Sequence, residues 1–216
     1  TDIYLVGDVF DFWFEYAAVI PKGYSRFFGK LAELADRGIQ LHFFYGNHDM
    51  WVKQYFTDEF GMKIYANPIQ LTLYGKRIYL GHGDGLGPGD RGYKFIKLFL
   101  RSTLCQWAFA RIHPNFGIGL ARFFSGKSRE GSEHEHQFLG FEHEWLYQYA
   151  QTMQQKDPHD YYIFGHRHLP FSLPIERGTY FNLGEWFHYQ TFMKIDSETP
   201  QYFTWDGQHA HSYDPP

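Results

Sequence analysis

Four short apolar runs in this chain end in glycine followed at once by aspartate, asparagine or histidine. Tyr4-Leu5-Val6 runs into Gly7-Asp8, and the run Leu41 to Tyr45 into Gly46-Asn47-His48-Asp49. Ile78-Tyr79-Leu80 runs into Gly81-His82-Gly83-Asp84, and Tyr162-Ile163-Phe164 into Gly165-His166-Arg167-His168. A continuous apolar run of this length predicts a strand buried on both faces, as in a helix-covered parallel sheet. Open sheets of that kind bind their ligands at the carboxyl ends of the strands. The four junctions therefore constrain the fold and the site together.

The intervening sequence supplies the helices. Phe27, Phe28, Leu31, Leu34 and Ala35 recur at helical spacing between Tyr24 and Arg37, with Gly38 as the stop signal. Met50 to Phe60 reads as a second helix ended by Gly61. Strand, helix, strand, helix is the pattern of an α/β layered fold. Ile69 to Leu73 and Arg77 to Leu80 flank Gly75-Lys76, a hairpin signal leading into His82.

Beyond Asp84 a glycine- and proline-rich loop opens a segment of different character. From Arg91 to Arg129 there are eight Lys or Arg and no Asp or Glu. Phe95, Ile96, Phe99, Leu100, Leu104, Trp107 and Ala108 keep a helical face there. This is either a helical hairpin packed on the core or a cap whose rings and cations suit an anionic lipid-like ligand or a membrane surface. Ser132 and Glu135 form a capping box for a helix carrying Phe138, Phe141, Trp145, Leu146 and Tyr149. The cluster Glu133-His134-Glu135-His136 reads as that helix's polar first turn rather than as a metal site. Thr179 to Leu183, Gln190 to Ile195 and Gln201 to Trp205 read as a second sheet edge or meander.

A net charge of −4 gives no case for nucleic-acid binding. Cys105 is a single cysteine, which fits a reducing compartment. No run approaches the roughly 18 apolar residues that a membrane-spanning helix needs.

Asp, Asn and His at strand ends are the donor set of a divalent ion such as manganese, iron or zinc. Asp8, Asn47, His82 and His166 suffice for one ion, and His168 reaches a neighbouring one. Two ions about 4 Å apart activate water and clamp the oxygens of an in-line displacement at phosphorus.

In these motifs the chain resembles the calcineurin-like metallophosphoesterases, whose pattern is Asp-x-His, Gly-Asp-x-x-Asp, Gly-Asn-His-Asp/Glu, a lone His and Gly-His-x-His. Gly7-Asp8-Val9-Phe10-Asp11, Gly46-Asn47-His48-Asp49, His82 and Gly165-His166-Arg167-His168 match in order. The resemblance implies a four-layer αββα sandwich over residues 1–216, with a helical cap insertion over 86–145. It implies two divalent metal ions, Mn2+ first and Fe2+ or Zn2+ as substitutes. Asp8 bridges them; Asn47, His82 and His166 complete one site and His168 belongs to the other. His48 faces the substrate phosphate as the catalytic acid, and Asp49 orients it. The Asp-x-His motif does not precede Gly7, so an N-terminal strand and helix that carry it are expected to be missing from the chain.

Within that superfamily the chain is similar to bacterial UDP-2,3-diacylglucosamine pyrophosphohydrolases of lipid A synthesis. Asp8-Val9-Phe10-Asp11-Phe12-Trp13, His82-Gly83-Asp84 and Asn182-Leu183-Gly184-Glu185-Trp186 carry the likeness. The cap then holds acyl chains, and Trp13, Asp90, Tyr93, Lys94, Arg122, Lys127 and Arg129 are the substrate-binding candidates. The implied location is cytoplasmic, peripheral to the inner membrane. At His48 the chain keeps the superfamily's usual histidine where the well-defined hydrolases carry Arg. Two alternatives stay open: a phosphatase or phosphodiesterase for another nucleotide or lipid phosphate, and a metal-depleted binding scaffold.

Overall fold

The computed structural model describes residues 1–89, 91–130, 138, 140–197 and 199–215, without the side chains of 91, 122 and 124–130. It divides into two compact units, Thr1–Asn67 with Asp90–Ser132 and Pro68–Gly89 with Glu133–Pro216. Both mix strands with helices, so the chain is α/β as the element pattern predicts.

In the first unit, β1 (Asp2–Leu5), β2 (Gln40–Phe44) and β3 (Lys63–Tyr65) form a parallel sheet in that order. Helix α1 (Ser25–Asp36) joins β1 to β2, and α2 (Tyr55–Phe60) joins β2 to β3. An aromatic core of Phe10, Trp13, Phe43 and Phe56 with Leu31, Leu41 and Met62 fills the space among them. Helix α2 begins at Tyr55 and not at Met50 as the periodicity suggests. Met50 and Trp51 are buried in a turn, and the buried Val52 follows it. The Glu15 carboxylate accepts the backbone N–H groups of Lys53 (2.8 Å), Gln54 (2.9 Å) and Tyr55 (3.2 Å). An acceptor from a distant loop thus satisfies donors that no local cap serves, and it fixes the helix start.

The basic segment folds as α3 (Arg91–Leu100), α4 (Thr103–Phe109) and α5 (Pro114–Glu130). It is tied down where Phe109 packs on Phe14 and Trp51, and where Trp51 Nε1 donates to the Leu100 carbonyl at 2.8 Å. Its other faces expose Phe95, Leu98, Phe99, Leu104, Trp107, Phe116 and Phe123, with Phe95 and Leu98 each 73% accessible.

In the second unit, β4 (Ile69–Leu73), β5 (Lys76–Gly81), β6 (Tyr161–Phe164), β7 (Pro170–Ile175) and β8 (Gly178–Leu183) form a sheet of order β4-β5-β6-β8-β7. Strands β5, β6 and β8 are parallel, so their carboxyl ends lie side by side. Leu73 pairs with Lys76, which makes the hairpin turn Tyr74-Gly75, one residue earlier than the sequence signal. Both turn residues have positive φ, 51° and 77°, as a type I′ turn demands.

Helix α6 (Trp145–Lys156) covers this sheet through Leu146, Tyr147 and Ala150. It begins at Trp145, so Phe141 precedes it; the capping box and the Glu133-His134-Glu135-His136 cluster lie outside the described residues. Strands β9 (Thr191–Lys194), β10 (Gln201–Trp205) and β11 (Ala210–Ser212) form the antiparallel meander. Burial pushes the Tyr79, Tyr180 and Tyr202 phenols well above their ordinary range, which keeps them protonated within the core.

Candidate metal centre

The two units carry the two halves of the predicted ligand set. In the first, β1 and β2 are parallel neighbours, so Asp8 and Asn47 follow them at the same end of the sheet. The two loops are locked together. Asp49, fully buried, accepts the Gly46 N–H (2.8 Å) and Asp8 N–H (3.3 Å) on Oδ1, and the Val9 N–H (2.7 Å) and Phe10 N–H (3.4 Å) on Oδ2. Asp8 Oδ1 in turn accepts the His48 N–H at 2.9 Å. Asp8 holds a left-handed backbone conformation, φ 52°. A Cβ at Gly46 would overlap the Asp8 carboxylate and backbone nitrogen, so the close approach of the two loops requires glycine.

In the second unit His82 follows the last residue of β5, and His166 lies two residues past β6. Their ring centroids are 5.2 Å apart with planes inclined at 68°. His82 is 4% exposed, and His166 and His168 are half-buried. The Gly165 N–H donates to the His82 carbonyl at 3.0 Å, joining the two strand ends. The paired imidazoles of this unit, and separately the carboxylate and amide oxygen of the first, are donors of the kind a borderline divalent ion takes, so each set fits such a group.

The substrate-binding candidates fare differently. Trp13 is 0% exposed, packed against Phe10, Phe28 and Phe56, with Nε1 donating to Glu15 Oε1 at 3.2 Å. It is packed as a core residue, with no exposed ring face to serve the proposed substrate role. Tyr93 and Lys94 sit half-buried on α3. Asp90 and the side chains of Arg122, Lys127 and Arg129 lie outside the described residues.

Three supporting groups escaped the sequence reading. Glu144, 1% exposed, pairs with Arg167 through Nε to Oε2 (3.1 Å) and Nη2 to Oε1 (2.9 Å). Asn182, fully buried, donates from Nδ2 to the Gly165 carbonyl at 2.6 Å. Arg167 and Asn182 both stand in motifs singled out in the sequence, but nothing there assigned them these contacts, and nothing pointed to Glu144.

An α/β chain with Asp, Asn and His at its strand ends has the composition of a metal-assisted hydrolase. No family model matches the chain. It is 37% identical to the UDP-2,3-diacylglucosamine hydrolase of Porphyromonas gingivalis over 211 residues, covering 91% of this chain and 80% of that protein. It is 29% identical over 191 residues to the enzyme of the same name from Aeromonas hydrophila, covering 86% and 77%. The chain belongs to the UDP-2,3-diacylglucosamine hydrolase family, and is with it a hydrolase. The resemblance drawn from the motifs is thereby borne out. A zinc-bound Vps29 from Entamoeba histolytica aligns over 98% of this chain and 96% of its own at a TM-score of 0.40 and 11% identity.

Proposed function

We propose that the chain hydrolyses the pyrophosphate bond of a UDP-2,3-diacylglucosamine-type nucleotide-sugar lipid. Water adds across the P–O–P bridge and releases UMP and the diacylglucosamine 1-phosphate, lipid X. The observation that carries this reading is the His82 and His166 ring pair on adjacent parallel strand ends. Asp8, Asn47, His82, His166 and His168 would hold two divalent ions, with manganese as the first choice. When bound, such ions polarise the phosphoryl oxygens and lower the pKa of the attacking water.

The chain's own residues do the remaining work. His48 sits beside Asn47 with its backbone fixed on Asp8, a position suited to protonating the leaving phosphate oxygen. Asp49 holds that loop and, in this reading, orients His48. Lys94, Arg122, Lys127 and Arg129 are the cations proposed for the pyrophosphate, and Tyr93 and Asp90 are the remaining substrate-binding candidates. The exposed apolar side chains of α3, α4 and α5, within the proposed cap 86–145, suit acyl chains and the surface of an anionic membrane. Among the described residues no helix is long and apolar enough to cross a membrane. Peripheral contact on the cytoplasmic face of the inner membrane is the arrangement this patch supports.

The test is UMP release with Mn2+. The diacylated sugar nucleotide should be cleaved far faster than its unacylated counterpart, and equal rates would remove the lipid from the proposal. His48 favours a second reading, a phosphodiesterase or phosphatase for another nucleotide or lipid phosphate. Cleavage of a generic aryl phosphate without cleavage of the sugar nucleotide would select it.

A further inference from the structure

We infer that Glu144, acting through Arg167, is a positioning residue for His166 and His168. The inference rests on the reading that these histidines hold a divalent ion. The Arg167 N–H donates to the Gly165 carbonyl at 2.8 Å, closing a three-residue turn about His166, whose φ is 66°. This is the rare γ-turn with a left-handed central residue. A histidine persists there only where its surroundings over-determine the backbone.

Three groups do so. The His82 carbonyl accepts the Gly165 N–H, Asn182 Nδ2 caps the Gly165 carbonyl, and Glu144 grips Arg167 by two parallel bonds. The first two fix where the turn begins, and the third fixes where it ends. A planar guanidinium held at two nitrogens is fixed in orientation as well as position. Arg167 stands between the two histidines, so the backbone leaving His166 and entering His168 follows from its placement. Glu144 is itself immobilised, since it leads into α6, whose Leu146 and Tyr147 are buried against the sheet.

Stability alone gives little reason for such a pair. A buried ion pair is often matched or exceeded in stability by apolar residues of similar volume. A group that orients a ligand-bearing loop, by contrast, affects metal affinity directly.

The experiment titrates Mn2+ into the whole chain by calorimetry, with circular dichroism and metal-free melting recorded on each variant. Glu144→Gln, Arg167→Met and the double change Glu144→Leu with Arg167→Met are compared with Arg167→Lys. Each of the first three is expected to lose about 10- to 100-fold in Mn2+ affinity. The double variant should recover melting temperature lost by the single ones without recovering affinity. Arg167→Lys keeps the charge but gives up the fork, and should fall between. Wild-type affinity in the folded double variant, or in Arg167→Lys, overturns the inference. A wild-type chain that binds no Mn2+ overturns the metal reading and this inference with it.

Discussion

A methyl group added at Gly46 would occupy space already taken by the carboxylate of Asp8. Gly46→Ala must therefore displace the loop that carries a proposed bridging ligand. Overpacking of this kind costs about 1–3 kcal/mol. We expect a lower denaturant midpoint and a clear loss of Mn2+ affinity, read by urea titration and calorimetry. An alanine variant with unchanged affinity would show that Asp8 is dispensable to the metal.

Asp49 should be sensitive to substitution for its backbone hydrogen bonds alone. Its carboxylate accepts four backbone N–H groups, and Asn in its place offers one acceptor oxygen where Asp offers two. Asp49→Asn is expected to lose about 2–4 kcal/mol of stability, through broken charge-assisted bonds and donors left buried without a partner. The check is the urea midpoint at constant m-value.

Trp13 separates core from site. Trp13→Ala should cost about 3–5 kcal/mol as a cavity forms in the aromatic cluster. Trp13→Phe, which refills most of that space, should keep the wild-type KM. A KM raised tenfold in a stably folded Trp13→Phe protein would return this residue to the substrate.

The β10–β11 hairpin supplies a pH prediction. The His209 backbone N–H, the His211 ring and the Gln208 N–H all bond to Asp206 and lower its pKa from 3.8 to about 2. A lowered folded-state pKa stabilises the hairpin above the unfolded value and is lost as pH falls through the folded one. The stabilisation should be complete above about pH 4 and disappear toward pH 2. Titration of the Asp206 carboxyl carbon by NMR, with exchange rates for the 208–212 amides, would register it. A midpoint near 3.8 would mean that these bonds do not form in solution.

Strand ends were the most legible part of the chain. Continuous apolar runs ending in Gly announced β1, β2, β5 and β6 and with them the proposed ligand positions, because an apolar run and an abrupt turn are local properties; the expected burial on both faces does not hold for β1, which is half-buried from Ile3 to Leu5. What depends on distant partners was not legible. Glu15 sets the start of α2 from some 40 positions away, and no window over Met50 to Phe60 contains it. The Tyr74-Gly75 turn was misplaced because a tyrosine with positive φ is uncommon, and sheet register chose it. Strand β7 opens and nearly closes with proline, which hides it from propensity, yet pairing with β8 along its length holds it. Glu144 and Arg167 are separated by 23 positions, and neither residue type signals the other.

The left-handed backbones at Asp8 and His166 also bear on how these positions can change over evolutionary time. Each must satisfy two demands that select different residues: the backbone favours glycine or asparagine, while the proposed metal requires a carboxylate at one and an imidazole at the other. Substitutions that relieve the backbone remove the ligand, and most exchanges that keep a polar side chain retain the strain. In a saturation library selected for folding alone, positions 8 and 166 should drift toward glycine and asparagine. Under selection for activity both should return to the residues found here, which would mark them as sites where function holds the sequence against its own conformational preference.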